Sequence, residues 1–412
     1  MSEDIDSLIH TAVFSEDTPL KKDSRKEIRA KAHNLGINLA SINGYYMAIG
    51  NGKVPAASTV PAINVRAMTY DSARVIFRLM LKHNIGPVIF EISRTEMEYT
   101  SQRPDEFAAV VLAAAIKEGY KGPVFLQGDH FQFSASRYKT DPKTEITRIK
   151  ALIKEAVEAG FCNIDIDAST LVDLSKSSID QQQEENYKAT IELSKYTRSL
   201  EKNKTISIGA EIGHIGERNS TPEDLDAFMQ GYLKGINEKM TGISKVSIQT
   251  GTHHGGIPLP DGKIADVKLD FSVIEDIGKL ARETYHIGGV VQHGASTLPN
   301  ELFGEFPKHK ALEIHLATGF QNIVYNNMPE GLKQEIYKWL EENCKDEWEK
   351  DWNKEQFIYK LRKKAIGPFK KRLWGLSDSD KKRITVALEQ QFEFLFEKLN
   401  IFNTKDAVLN YI

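Results

Sequence analysis

Residues Pro123–His130 read PVFLQGDH, a short apolar run that ends in a glycine, an acid and a histidine. The plan recurs along the chain. Runs rich in Val and Ile stand at Pro61–Arg66 (PAINVR), Pro87–Ser93 (PVIFEIS), Cys162–Asp167 (CNIDID) and Thr205–Glu211 (TISIGAE). Three more stand at Lys245–Thr250 (KVSIQT), Gly288–His293 (GGVVQH) and Phe320–Tyr325 (FQNIVY), which makes eight. Their starts lie about 26 to 43 residues apart, room for one strand, one helix and two loops. The runs are apolar on both faces, as strands of a covered parallel sheet are. Amphipathic helices are predicted between them at 105–118, 144–159, 184–200, 222–234 and 271–284. Thr221 before Pro222 is a helix start, with a capping hydroxyl and a proline suited to the first turn. Eight even βα units predict an α/β fold, a closed (β/α)8 TIM barrel, over an open doubly wound sheet.

The flanks differ from this core. Residues 1–60 read as an N-terminal helical segment with a glycine-rich connection, 61–343 as the barrel, and 344–412 as a charged helical C-terminal extension. All four tryptophans lie between Trp339 and Trp374. The extension is expected to pack on the barrel or on another subunit. Its basic stretch Arg362–Arg372 (RKKAIGPFKKR) reads as a solvated helix face balanced by nearby acids rather than as a nucleic-acid contact.

The bulk properties exclude several classes. The 412 residues carry 41% hydrophobic and 27% charged side chains, ordinary for a soluble globular enzyme. A net charge of −3 gives no general attraction to nucleic acid or an acidic membrane. The two cysteines, Cys162 and Cys344, make no disulfide framework and suit a reducing, cytoplasmic setting. No signal peptide and no run of about 18 apolar residues is seen.

A barrel of this kind builds its active site at the C-terminal ends of its strands. Those ends carry Asn64, Ser93, Asp129 and His130, Asp167, Glu211, His253 and His254, His293 and Asn322. Three histidines after strands three, six and seven can converge as His130, His254 and His293 on a zinc ion with an open fourth position. Glu211 is a candidate fourth ligand, and Asp129 a proton carrier beside the metal. Glu217, on the loop after strand five, is a candidate base. Small residues follow two of the histidines, so Gly255, Gly294 and Ser296 are candidates for a phosphate cradle. His10, His33, His83, His286, His309 and His315 fall away from the predicted strand tops and read as structural.

At this point the sequence resembles the class II, zinc-dependent fructose-bisphosphate and tagatose-bisphosphate aldolases. The resemblance runs from about Val60 to Asn327. It is carried, in order, by VPAINVR, GPVIFEIS, GDH, IDAS, AEIGHIG, THHGG, QHGAS and QNIVYNN. It implies zinc on the three histidines, and Asp129 handling the proton on the C4 oxygen of a ketose. It implies phosphate contacts at Gly255, Gly294 and Ser296, a substrate contact at Ser93 and a donor contact at Asn322. A monovalent cation (Na+ or K+) near the phosphate and a homo-oligomer, dimer or tetramer, are further implications. The expected reaction is cleavage and formation of a ketose phosphate through a zinc-stabilised enediolate. Alternatives are a different or unphosphorylated ketose, or a non-catalytic companion subunit of a tagatose-bisphosphate aldolase. The chain departs from the family at Gln127, where a histidine often stands, and in the loop after Glu211.

Overall fold

The computed structural model describes residues 4–213, 218–251 and 269–412. Nine parallel strands form one sheet: β1 (Ile37–Leu39), β2 (Val60–Asn64), β3 (Ile89–Ser93), β4 (Gly122–Gln132), β5 (Asn163–Asp167), β6 (Ser207–Glu211), β7 (Lys245–Ile248), β8 (Val290–Gln292) and β9 (Glu313–Leu316). Strands β2 to β9 pair in sequence order, and β9 returns to β2 with Val60 opposite Glu313, so the barrel closes. The short β1 is an addition that pairs with the start of β4.

Seven of the eight expected strands are present. The eighth is not where the apolar run stands. Phe320–Tyr325 lies in the helix Thr318–Asn327, and the closing strand is Glu313–Leu316. The buried residues of that helix, Phe320, Gln321, Val324 and Tyr325, recur at helical spacing, whereas Glu313-Ile-His-Leu316 alternates with period two. Asn322 is therefore not at a strand end. Its side chain accepts from Arg362 at 2.6 Å and donates to the Tyr359 hydroxyl at 3.4 Å, both in the C-terminal extension.

The helices between the strands cover the barrel's outer face. Thr221 caps the helix Pro222–Gly235 by accepting from the Asp224 N–H, with Pro222 in its first turn, as the sequence predicts. The helix Pro104–Lys117 is buried on almost every side because two N-terminal helices, Ile5–Phe14 and Thr18–Asn34, lie over it. Arg25 clamps them together through Asp105 and Glu106 at 3.1 and 2.8 Å. A third N-terminal helix, Asn43–Gly50, plugs the bottom of the barrel. Its Tyr45, Tyr46 and Ile49 pack with Val60, Ala62, Ile89 and Phe125.

The C-terminal extension packs on the barrel. Its long helix Asp378–Lys398 lies against Thr69–Lys82 and Thr318–Asn327, and Trp374 stacks on Tyr70. Much of the basic stretch is paired internally. Arg362 is buried between Tyr325 and Tyr359, while Lys364, Lys370 and Arg372 pair with Glu347, Glu106 and Glu335. Among the described residues no helix is long and apolar enough to cross a membrane.

Candidate active site

Strand β4 does most to shape the mouth. Its pairing with β5 shifts register between Gly128 and Phe131, a bulge that re-aims the residues within it. A Cβ on Gly128 would come within 2.4 Å of the Phe131 ring, so only glycine fits. The next turn of the bulge places His130 in the left-handed region at φ +43°, which points its ring towards β5 and β6. There Nδ1 lies 2.9 Å from Asp167 Oδ2 and 3.2 Å from Glu211 Oε2. A carboxylate on one ring nitrogen sets the tautomer and orientation of a ligating histidine.

Three carboxylates thus converge on one imidazole, since Asp129 Oδ1 is 3.8 Å from His130 Nε2. Burial first, and then the Asp167 charge, push the Glu211 carboxyl up to about 8 despite the opposing pull of His130. Burial works against a charged His130, but Asp129 and Glu211 outweigh it and raise that ring well above its usual value. Excess negative charge of this kind suits a cation.

His293, just past β8, tilts over His130 with ring centres 4.2 Å apart, and its Nε2 lies 2.9 Å from the Ser247 hydroxyl. His130, Glu211 and His293 each offer a ligand atom within 4.8 Å of the others. Two imidazoles and a carboxylate are a zinc-type donor set. The third histidine of the expected set, His254, lies outside the described residues, as do Gly255 and Glu217.

A histidine that the sequence reading set aside as structural belongs here too. His315, on β9, is buried on the site's floor. Its Nδ1 is 3.1 Å from Asp129 Oδ1 and 3.0 Å from Glu91 Oε2, and its Nε2 is 2.6 Å from Glu313 Oε1. Its ring centre lies 4.1 Å from that of His293. Mislocating the last strand hid it; once β9 is read at 313–316, His315 stands at a strand top like the others.

Beneath the mouth the barrel interior is charged rather than aliphatic. Lys245 Nζ is 3.0 Å from Asp165 and 2.8 Å from Gln127 Oε1, and it also pairs with Glu313. Gln127 donates to Glu313 at 3.0 Å, and Tyr46 donates to Glu313 from below. Burial alone would raise the Glu313 carboxyl, but the Lys245 charge and the His315 hydrogen bond hold it well below the usual range. Asp165 goes the other way, pushed up by burial against the pull of Lys245. Asp165, Glu313 and His315 also approach metal-ligand spacing, but the lysine already neutralises that cluster.

These groups open into a cavity of about 660 Å³ at the barrel mouth. Ser93, Gly294 and Ser296 line it. Ser93 also caps the helix Arg94–Tyr99, and the Ser296 hydroxyl accepts from the Ala317 N–H at 2.6 Å. Asn64 does not line the cavity; it is buried and bonds Glu96 and Arg66 behind the wall. The far wall is supplied by the C-terminal extension, including Trp352, Tyr359 and Lys363. Arg94 and Lys363 line this space, and the buried Arg94 Nε has no hydrogen-bond partner among the described residues. Neither contribution of the extension was legible beforehand.

The barrel, its bulged β4 and the acid–imidazole cluster at its mouth define a (β/α)8 enzyme architecture with a candidate metal site. Comparison makes that more specific: the chain belongs to the class-II fructose-bisphosphate aldolase family, whose model matches residues 55–367. Membership supports an aldolase, a carbon–carbon lyase. Similar solved structures include a fructose-bisphosphate aldolase from Campylobacter jejuni, with 16% identity over 89% of this chain and 96% of that one and a TM-score of 0.52. A probable tagatose 6 phosphate kinase from Sinorhizobium meliloti 1021 has 13% identity over 82% and 100%, with a TM-score of 0.62. A fructuronate-tagaturonate epimerase from Cohnella laeviribosi has 11% identity over 84% and 81%, with a TM-score of 0.57. At these identities the likeness is one of fold. A search of curated proteins found no match.

Proposed function

We propose that this chain is a zinc-dependent aldolase that cleaves and forms a ketose phosphate such as fructose 1,6-bisphosphate. The observation that carries the reading is the convergence of His130, Glu211 and His293, with Asp129 beside them, where His130, His293 and Asp129 line the cavity at the barrel mouth. In this reading His130, His254 and His293 hold the metal and Glu211 stands as a further ligand. Bound there, zinc supplies Lewis-acid polarisation of the ketose carbonyl and steadies the charge left when the carbon–carbon bond breaks.

The chain's own groups do the rest. Asp129 takes the proton of the C4 hydroxyl as the C3–C4 bond breaks, so that C4 leaves as an aldehyde. Gly294 and Ser296 offer backbone and hydroxyl groups to a phosphate, with Gly255 beside them. Arg94 and Lys363 give the cavity positive charge that an anionic sugar would neutralise. Glu217 is the candidate for moving the proton at the enediolate carbon. Two cysteines left as free thiols suit the cytoplasm, and a homo-oligomer is the expected assembly.

The test is a zinc assay joined to a screen of ketose mono- and bisphosphates. Zinc bound by the purified protein, and a triose phosphate released from at least one substrate, are the expected results. A zinc-loaded chain that cleaves none of them is not this enzyme. In the Asp129→Ala variant cleavage should fall about 10²–10⁴-fold while zinc stays bound. Undiminished cleavage would remove Asp129 from the reaction.

A further inference from the structure

His315 has carboxylates within 3.1 Å of both of its ring nitrogens. Nδ1 meets Asp129 and Glu91, at 3.1 and 3.0 Å, while Nε2 meets Glu313 at 2.6 Å. Glu313 is in turn immobilised by Lys245, Gln127 and Tyr46, the last rising from the helix that plugs the barrel's bottom. A continuous path of charge-assisted hydrogen bonds therefore runs from the floor of the barrel to the Asp129 carboxylate at the cavity wall. Such bonds are shorter and stronger than neutral ones, and a ring held at both nitrogens cannot turn without breaking one. The ring also leans on His293, which blocks it from the side.

We propose that His315 is a positioning residue for Asp129, fixing that carboxylate in the orientation that takes the proton of the substrate's hydroxyl during carbon–carbon cleavage. The inference rests on the aldolase reading above. In the step concerned, the O–H proton passes to Asp129, the O–H electron pair becomes the aldehyde's second C–O bond, and the C3–C4 pair passes to the ketone half as the enediolate. Asp129 takes no part in the later proton transfer at the enediolate carbon. That separation gives the inference its test.

Two reactions should be measured on each variant: cleavage of fructose 1,6-bisphosphate, and exchange of the carbon-bound proton of dihydroxyacetone phosphate with solvent. The second needs the metal, the phosphate site and the enediolate base, but not Asp129. In His315→Gln the amide reaches towards Glu313 and removes the His315 hydrogen bond from Asp129. Cleavage should fall about 100-fold, and exchange should stay within about twofold, with zinc content unchanged. In His315→Asn the amide nitrogen sits close to where Nδ1 was and can still donate to Asp129. Cleavage should return to within about tenfold of the parent. Thermal melts of both variants verify folding.

A purely structural role would depress cleavage and exchange together, and that parallel loss would overturn the inference. Undiminished cleavage in His315→Gln would overturn it too. If His315→Gln does not fold, His315→Asn decides alone: it must lose more cleavage than exchange. A parent protein that neither cleaves nor exchanges with zinc restored would sink the aldolase reading, and this inference with it. A parent that does both, with variants that lose both equally, sinks the inference alone.

Discussion

His293 and His315 stand at the ends of adjacent strands with ring centres 4.1 Å apart, yet the groups nearest their ring nitrogens differ. His293 Nε2 lies 2.9 Å from a neutral hydroxyl, that of Ser247. His315 is set among Asp129, Glu91, Glu313 and, at 3.8 Å, Asp165. A metal ligand must be a neutral imidazole, and a hydroxyl can orient one without holding a proton on it. Carboxylates at hydrogen-bond distance from both ring nitrogens, as at His315, instead favour the charged form. Burial opposes this, but Glu91 and the bonds to Asp129 and Glu313 raise His315 well above its ordinary value. In the proposed reaction the two histidines would thus take two tasks, according to the charge of their nearest partners. Residue type and strand position alone do not distinguish them.

The comparison is most directly broken at His293. In His293→Ala, metal content measured by atomic emission and cleavage should both fall steeply, because the proposed site loses one of its three imidazole ligands. Full metal content in that variant would mean that the two rings had been assigned the wrong way round.

Next in size is the charge that supports the His315 half. Lys245 is buried and compensates both Asp165 and Glu313. Removing one partner of a buried pair leaves an uncompensated charge and costs about 3–5 kcal/mol. Lys245→Met should lower the free energy of unfolding in denaturant by that amount. Adding Glu313→Gln should return part of the loss, since one stranded carboxylate is then gone. If the double variant is no more stable than the single, the pair is not what stabilises this layer.

The same contrast explains what the sequence did and did not disclose. Strands β2 to β8 are legible because Val and Ile cover their outer faces, and their ends follow at Ser93, Asp129, Glu211 and His293. The barrel and the His130–Glu211–His293 cluster follow from that. Strand β9 escapes because its inward residues, Glu313 and His315, serve a charged interior, so its sequence looks like a polar connection. The helix after it, with Phe320, Val324 and Tyr325 on its buried face, looks more like a strand than the strand does. Placing the strand there moved Asn322 into the site and His315 out of it. The bulge at Gly128 and the wall built by Trp352, Tyr359 and Lys363 depend on chain segments distant in sequence, and no local pattern encodes them.

The smallest effect, and the one that sharpens the comparison most, is expected at Ser247. Its hydroxyl, on β7, is the neutral partner that distinguishes the His293 ring from the His315 ring. In Ser247→Ala the ring keeps its backbone position and loses only this contact. Loss of such an outer contact to a metal ligand typically weakens metal binding 10–100-fold, which is about 1.4–2.7 kcal/mol. Zinc titration against a competing chelator should detect it, with cleavage restored at saturating zinc. Ser247→Asp reverses the logic, because it gives His293 a carboxylate partner like those of His315. If neutrality at this position matters, the aspartate variant should bind zinc differently from the alanine variant as pH falls, since a carboxylate partner favours the protonated ring. If the two variants bind zinc alike at every pH, then the charge of the partner does not separate the tasks of the two histidines, and their distance from the remaining ligands must.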